Sequence, residues 1–326
     1  IERAGKRIGQ HCKQIGMQFN FAPDIDINTN PENPIIGNRS FGEDKENVAQ
    51  KGLAFTRGMQ SVGVLGSAKH FPGHGDTAKD SHKTLPTINF TAKHLEEVEL
   101  YPFRALAKSV ASVMVGHLNV PALESKNGLP SSLSKTIITD LLKKKMGYEG
   151  LIFTDALGMK GVSEYLPIGE VEVEAFLAGN DILLMPSNLP KGFEAMKKAY
   201  QSKRISEERL AHSVKKILMA KYKVGLTTFT PIDEATVSKE LHTTEDDLLT
   251  EAIFENALTV AQNKSQIIPL KQLDKQKIAY VKFGNDSGWT FYSTLKKYAD
   301  VALIEPKNEA QLYEAIEPYT TIIIGL

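Results

Sequence analysis

Short apolar segments alternate with longer amphipathic segments along most of the chain. Near its start, apolar side chains recur at helical spacing, for example at Ile8, Cys12 and Ile15. Helical periodicity predicts amphipathic helices, whereas short apolar runs bounded by turn residues predict buried strands. The predicted strands of this region are 18–27, 62–67, 111–115, 150–153 and 181–185. The predicted helices are 1–17, 44–60, 91–109, 134–147, 171–178, 191–201 and 206–223.

This repeated strand–helix alternation predicts an α/β fold with a parallel sheet and helical crossovers. The strands are almost wholly apolar, as expected when both faces of a sheet are covered. Pro102 is expected to kink its helix, and Ser134 and Gly147 are expected to begin and end another. Five strands are predicted in this region, whereas a closed (β/α)8 barrel needs eight.

A second α/β region follows a polar stretch. Residues 227–250 lack a strand pattern and are interpreted as a linker with an entry helix. We therefore expect a first domain over 1–225, a linker over 226–250 and a second domain over 251–326. The second domain has predicted strands at 278–282, 301–304 and 321–325 and predicted helices at 289–298 and 309–319.

Composition excludes several classes of protein. The 326 residues contain 39 basic and 39 acidic side chains, which argues against a nucleic-acid or anionic-membrane binder. The one cysteine, Cys12, cannot form an internal disulfide or a cysteine cluster for a metal. No apolar run approaches the length of a membrane span. Because the chain begins with Ile1, we expect a processed or partial chain, and the compartment stays open, with periplasmic or extracellular favoured over cytoplasmic.

Polar residues lie at or just after the ends of the predicted strands. The carboxyl ends of parallel strands form the active face of α/β enzymes, so this placement indicates an enzyme site. Two adjacent residues at a strand end point to opposite sides, so one of Lys69 and His70 is expected to face a ligand. The residues concerned are Asp24, Asp26, Lys69, His70, His117 and Asp155. For Asp24, Asp26 and His117 a structural role is the favoured interpretation.

The segment KHFPGHGDTAKDSHKTLP is rich in titratable side chains and contains three histidines and two aspartates. Its glycines and prolines predict a loop. One interpretation is acid–base chemistry by Asp80 and His82, in which the carboxylate orients the imidazole. Another is a solvated loop whose histidines cap backbone groups. A third is a metal site, although the helical histidine pair of zincins is absent. Its ligands would come from His70, His74, Asp76, Asp80 and His82.

Two further residues have both a chemical and a structural interpretation. An apolar strand delivers Asp155 to its carboxyl end in GLIFTDALGMKG, where a carboxylate can act as a nucleophile or metal ligand, or can cap the next helix. Arg39 lies in the proline-rich loop NPENPIIGNRSFGED. Its guanidinium can bind a ligand hydroxyl or carbonyl, or can hold the loop through backbone carbonyls.

Taken together, these segments resemble the β-N-acetylglucosaminidase branch of glycoside hydrolase family 3. The histidine loop is highly specific to that branch. The segments FAPDIDINTNPENPIIGNRSFG, MVGHLNVPAL, GLIFTDALGMKGV and AGNDILLMP occur in the family's order. The resemblance is dense over 17–186, looser to 225, and rests on domain order beyond that.

The resemblance implies a (β/α)8 barrel followed by an α/β sandwich domain, without metal or cofactor. It also implies a retaining mechanism through a covalent glycosyl-enzyme. Asp155 matches the nucleophile, His82 the acid/base and Asp80 its partner, while Arg39, Lys69 and His70 match residues that hold the terminal sugar. A histidine here departs from the usual carboxylate pair, but imidazole has a pKa near the working pH. A mobile loop could bring the dyad in once sugar is bound.

The expected function is therefore an exo-acting β-N-acetylglucosaminidase. Its expected partner is an N-acetylglucosamine-containing oligosaccharide or muropeptide derived from peptidoglycan or chitin. The alternatives are a phosphorylase, a sugar-binding protein with impaired catalysis and a metal-dependent hydrolase. The first barrel strands and an early sugar-binding aspartate of the family have no counterpart here, and the second domain stops early, so a fragment is expected.

Overall fold

A four-stranded parallel sheet organises the first part of the chain. The structure is a computed structural model that describes residues 1–77, 84–228, 230–284, 288–306 and 308–325. It divides into two units, residues 1–256 and 257–326. Both contain parallel sheets with helical connections, so the predicted α/β class is confirmed.

The strands of the first unit lie in the order β1-β2-β3-β4. Ile182 continues this sheet through a parallel bridge to Phe153 of β4. Since sequential parallel strands are neighbours, the ends of all four strands meet along one edge. The strands are β1 (Phe19–Asn20), β2 (Leu65–Phe71), β3 (Ser112–Val115) and β4 (Leu151–Thr154).

Helices connect these strands and begin at capping side chains. Asp44 and Ser206 each accept a hydrogen bond from a backbone N–H in the first turn that follows. The longer helices are α1 (Glu2–Gln14), α2 (Lys45–Ser61), α6 (Glu170–Ala178), α7 (Leu189–Gln201), α8 (Glu207–Lys223) and α10 (Thr244–Ala257). The shorter ones are α3 (Ala92–His94), α4 (Tyr101–Leu106), α5 (Lys160–Ser163) and α9 (Glu234–Glu240).

Both faces of the sheet are covered by apolar side chains. Val113 and Val115 of β3 pack with a large cluster that includes Phe103 of α4. Met114 points to the opposite face and packs with Phe153 of β4. This double burial is why the strands read as continuous apolar runs rather than as alternating patterns.

Three predicted strands differ in the structure, and of 181–185 only Ile182 pairs, through its isolated bridge to Phe153. Regular pairing within 18–27 is confined to Phe19–Asn20, because Pro23 has no N–H to donate to a ladder. The chain nevertheless stays beside β2, since Ser67 N donates to Ala22 O at 2.9 Å. The second predicted strand begins later and continues through Lys69 and His70 to Phe71. These two residues therefore lie inside β2 rather than after it.

Two predicted helices contain wider turns. Residues 91–109 divide into α3, a π turn over Leu95–Glu99, and α4. Pro102 lies in the first turn of α4, where its missing N–H leaves no bond unmade. The helix expected after Ser134 is π-wound over Thr136–Lys145. Apolar spacing alone does not separate these winding types.

The second unit is a smaller parallel sheet with strand order β6-β5-β7. Alternate residues of the central strand are buried on opposite faces, with Tyr280 against one helix and Val281 against the other. Its elements are β5 (Ile278–Lys282), α11 (Trp289–Leu295), β6 (Val301–Ile304), α12 (Glu309–Ile316) and β7 (Thr321–Gly325). Within the described parts of both units, each helix is too short or too polar to cross a membrane.

A buried ion cluster fixes α8 to the sheet. The Asp181 carboxylate is fully buried and accepts hydrogen bonds from Ser213 Oγ at 2.5 Å and Lys216 Nζ at 2.6 Å. It also accepts from the backbone N–H of Ile152 at 3.1 Å. Burial alone would raise the pKa of Asp181, but Lys216 outweighs it and the pKa is lowered. The carboxylate is therefore held in its charged form.

Asp181→Ala is expected to destabilise the first unit strongly. The substitution leaves the largely buried Lys216 without its partner, which should cost about 3 kcal/mol. Urea unfolding followed by circular dichroism measures this change. Asp140→Ala is the control, because Asp140 pairs with Lys144 on an exposed helix face, where an ion pair contributes little to stability. Equal effects of the two substitutions would contradict the prediction.

Candidate active site

The end of the sheet brings together six of the polar residues that the sequence singled out. Asp24 forms a parallel bridge with Lys69. Asp155 directly follows β4, and its backbone N–H donates to Val115 O at 2.9 Å. The residues that meet at this edge are Asp24, Asp26, Lys69, His70, His117 and Asp155. Six polar side chains on one edge of the sheet form a candidate active site.

The carboxylate of Asp26 is the centre of this site. It is 1% exposed and accepts the backbone N–H groups of His70 at 3.1 Å and of His74 at 2.7 Å. Its Oδ2 also lies 2.7 Å from Nδ1 of His70. Burial would raise the pKa of Asp26, but His70 and these hydrogen bonds hold it well below its usual range. Asp26 is thus a charged, fully bonded anchor, in line with the structural role favoured for it.

His70 is oriented by this contact. Burial lowers its pKa, but Asp26, together with Asp24 and Asp155, outweighs burial and the pKa is raised. The ring position is fixed because Nδ1 faces Asp26. This shift favours the protonated imidazole, and His70 in turn lowers the pKa of the neighbouring Asp155.

Asp155 is half-buried and stays ionised. Burial alone would raise its pKa; His70, then His117, the N–H of Ala156 and Lys69 lower it below the ordinary value. Its Oδ1 accepts that N–H at 2.8 Å. This bond goes to the next residue, and the following helix α5 has Met159 as its N-cap residue, so the interpretation of Asp155 as a helix cap is wrong. A half-buried, ionised carboxylate at a strand end can act as a nucleophile.

His117 supports the backbone next to Asp155. Its Nε2 lies 3.0 Å from Ala156 O, and its Nδ1 lies 2.7 Å from Ser132 Oγ. Because a carbonyl oxygen only accepts, Nε2 must carry a hydrogen and donate it. His117 therefore fixes the residue that follows Asp155, which agrees with the structural role favoured for it.

Arg39 holds its loop and also keeps donors exposed, so it fits both interpretations that the sequence offered. Its Nη1 donates to Ile35 O at 3.1 Å, which holds the loop, and its Nη2 lies 3.0 Å from Asp24 Oδ2. The side chain is still 44% exposed, so part of its donor fork faces solvent. Lys69 lies close by, and burial, then Arg39, lowers its pKa. The two cations form a polar rim beside Asp155.

The histidine loop begins on a tightly fixed turn. Asn33 Nδ2 donates to the carbonyls of His74 and Gly75 at 2.9 Å each. Thr77 Oγ1 lies 2.6 Å from Nδ1 of His74. A Cβ on Gly75 would come within 1.7 Å of Ile27 O, so only glycine fits. Two sequence candidates further along this loop, Asp80 and His82, lie outside the described residues.

Sequence reasoning missed one buried acid, Glu99. It is 2% exposed, and its oxygens make no hydrogen bond to any residue that the structure describes; Nε2 of His94 lies 3.8 Å away. Burial raises its pKa to about 8, and the charges of Asp26 and Asp76 add to this. The signal was its position, four residues after the buried Leu95 on the apolar face of the predicted helix. Glu99 therefore keeps its proton near neutral pH.

The donor set at the site favours hydrogen bonding over metal binding. In the described part of the chain, ligand atoms of Asp24, Asp26 and His70 lie within 4.8 Å of one another. However, Asp26 already accepts several N–H groups, and Nδ1 of His70 is directed at it. Nδ1 of His74 is likewise engaged by Thr77. These contacts fit a self-contained polar cluster.

Comparison with known proteins places the chain in a family. The model of the glycosyl hydrolase family 3 N-terminal domain matches residues 1–220. The chain is 32% identical over 300 residues to β-hexosaminidase A of Pseudoalteromonas piscicida, which covers 84% of this chain and 50% of that protein. It is 37% identical over 186 residues to β-hexosaminidase LpqI of Mycobacterium tuberculosis, covering 54% of this chain and 46% of that protein. The chain thus spans about half the length of these curated relatives.

A solved structure agrees with this assignment. A glycoside hydrolase family 3 β-N-acetylglucosaminidase from a Paenibacillus species superposes with a TM-score of 0.79 at 32% identity, covering 99% of this chain and 64% of that one. A parallel α/β fold with polar residues at the carboxyl ends of its strands is the arrangement found in (β/α)8-barrel enzymes. The chain belongs to glycoside hydrolase family 3. Its fold is of that family's (β/α)8-barrel type, as predicted.

Glu99→Gln is expected to stabilise the protein near neutral pH but not in acid. An unfolded glutamate loses its proton near pH 4, whereas the pKa of Glu99 is raised to about 8 in the fold. Between these values, rising pH increasingly favours the unfolded state. Urea unfolding should show a gain of about 1 kcal/mol or more at pH 8 and little change at pH 4.5. Glu97→Gln, on the exposed side of the same segment, should change neither, and a destabilised Glu99→Gln at pH 8 would contradict the prediction.

Proposed function

We propose that this chain carries the catalytic site of an exo-acting β-N-acetylglucosaminidase. The single observation that carries the proposal is Asp155, a half-buried carboxylate at the end of β4 whose pKa is held below its ordinary value by His70, His117 and Lys69. The β-hexosaminidase and β-N-acetylglucosaminidase relatives support the substrate class. The proposed substrates are N-acetylglucosamine-terminated glycans or muropeptides from peptidoglycan or chitin.

In the proposed mechanism two successive substitutions take place at the anomeric carbon. An oxygen of Asp155 attacks the anomeric carbon while His82 protonates the departing oxygen, which yields a covalent glycosyl-enzyme. Neutral His82 then takes a proton from water, whose oxygen attacks the same carbon and releases Asp155. Two inversions leave the anomeric configuration retained, and Asp80 orients the imidazole throughout.

The charges around Asp155 suit these two reaction steps. His70 and Lys69 favour its carboxylate form, which is the form needed for attack. Histidine as acid/base adds no second carboxylate near the anomeric centre, so less negative charge faces the nucleophile. Arg39, with donors open to solvent, and the neighbouring Lys69 and His70 are proposed to hold the hydroxyls of the terminal sugar.

Asp155→Ala is expected to abolish hydrolysis of an aryl β-N-acetylglucosaminide while the fold persists. Loss of a nucleophile should lower the rate by about 10³-fold or more. The assay measures phenol release in phosphate-free buffer, with circular dichroism as the folding check and Asp140→Ala as the control. A fluorinated substrate analogue should label Asp155. A label on another residue, or near-normal turnover of the variant, would refute the assignment.

His82→Ala is expected to slow substrates with poor leaving groups far more than activated aryl glycosides. General acid catalysis typically contributes about 10²- to 10⁴-fold, and a good leaving group needs little of it. Rates on the disaccharide chitobiose and on a nitrophenyl glycoside measure the difference, and Asp80→Asn should give a weaker version. His212→Ala, on an exposed position of α8, is the control. Equal losses on both substrates would indicate a binding or folding role instead.

A further inference from the structure

The carboxylate of Asp24 contacts the guanidinium of Arg39. Its Oδ2 is 3.0 Å from Nη2 of Arg39, and its side chain is only 7% exposed. Its Oδ1 is 3.3 Å from the backbone N–H of Asp26, and its backbone pairs with Lys69. The carboxylate is therefore too enclosed to touch a sugar, yet it contacts a residue proposed to do so.

We propose that Asp24 is a positioning residue for sugar binding, which holds the Arg39 fork toward the sugar only while its own carboxylate is ionised. This inference rests on the proposed function, because it assumes that Arg39 binds the terminal sugar. It adds a residue to which neither the sequence pattern nor the resemblance gave a role in binding. It also predicts that sugar affinity depends on pH.

The surroundings of Asp24 place its titration in the neutral range. Burial raises its pKa to about 7, with Asp26 adding to the effect, while His70 and Arg39 act in the opposite direction. Lys69 is the remaining charged neighbour, and its own pKa is lowered by burial and by Arg39. Asp24 is thus ionised above about pH 7 and neutral below it. Among the described residues, Asp26, His70, Arg39 and Lys69 are the charged groups that face it.

The charge of Asp24 decides how Arg39 is held. With the carboxylate ionised, Arg39 has two supports, Asp24 on Nη2 and Ile35 O on Nη1. Once Asp24 is neutral, only the contact with the Ile35 carbonyl keeps its strength. Repulsion between Arg39 and the nearby Lys69 is then less balanced, which favours a guanidinium turned toward solvent. Sugar binding should therefore weaken as the pH falls.

Isothermal titration with N-acetylglucosamine at pH 6 and pH 8 tests this inference directly. The wild-type protein should bind about threefold more tightly at pH 8, the effect expected of a partly exposed ion pair. Asp24→Asn should bind with the same, weaker affinity at both values. Asp140→Asn, which removes an exposed carboxylate elsewhere, should behave as wild type. A merely structural role for Asp24 would not flatten the pH profile.

Three outcomes would overturn the inference alone. One is an Asp24→Asn variant that keeps the wild-type pH dependence. Another is a wild-type affinity that is equal at both pH values. If Asp24→Asn does not fold, Arg39→Gln is used instead, because it removes the cation that the Asp24 charge holds, and a pH dependence that survives in Arg39→Gln is the third outcome. Absence of N-acetylglucosamine binding at either pH would overturn the proposed function together with this inference, whereas binding without the pH effect overturns the inference alone.

Discussion

The buried Asp26 carboxylate joins the end of β1 to the end of β2 and to the turn that follows. It accepts the N–H groups of His70 and His74 and faces the imidazole of His70. An unpaired charge at such a depth would cost several kcal/mol, so these contacts must form together. Because His70 and Lys69 are adjacent in β2, Asp26 also fixes where their charges lie relative to Asp155.

The same cluster shifts the pKa values of three carboxyl groups in opposite directions. Asp155 stays ionised because cations surround it, whereas burial raises the pKa of Glu99 to about 8 and that of Asp24 to about 7. Asp26 contributes to both raised values, since its fixed charge disfavours further anions nearby. Carboxyl groups whose pKa values differ in this way take different roles. The ionised Asp155 is suited to attack, while the neutral Glu99 fills space beneath the loop.

Much of the fold was predictable because it follows from local rules. Double burial makes the strands apolar, and the caps at Asp44 and Ser206 mark helix starts that the structure confirms. The π turn before α4 was not predictable, since apolar spacing is similar in wide and regular helices. At the site, the position of Asp155 at a strand end was predicted from the pattern alone. Glu99 was missed because its burial depends on packing against Gly73, and the roles of Asp80 and His82 remain predictions from sequence.

The glycines of the histidine loop are explained by packing more than by flexibility. A Cβ on Gly75 would clash with Ile27 O at 1.7 Å, and one on Gly73 would lie 2.7 Å from Oε2 of Glu99. Gly75 therefore lets the turn lie against Ile27, next to Asp26, and Gly73 lets it lie against Glu99. The same carboxylate, Asp26, therefore fixes both the imidazole of His70 and the backbone of His74 at the turn.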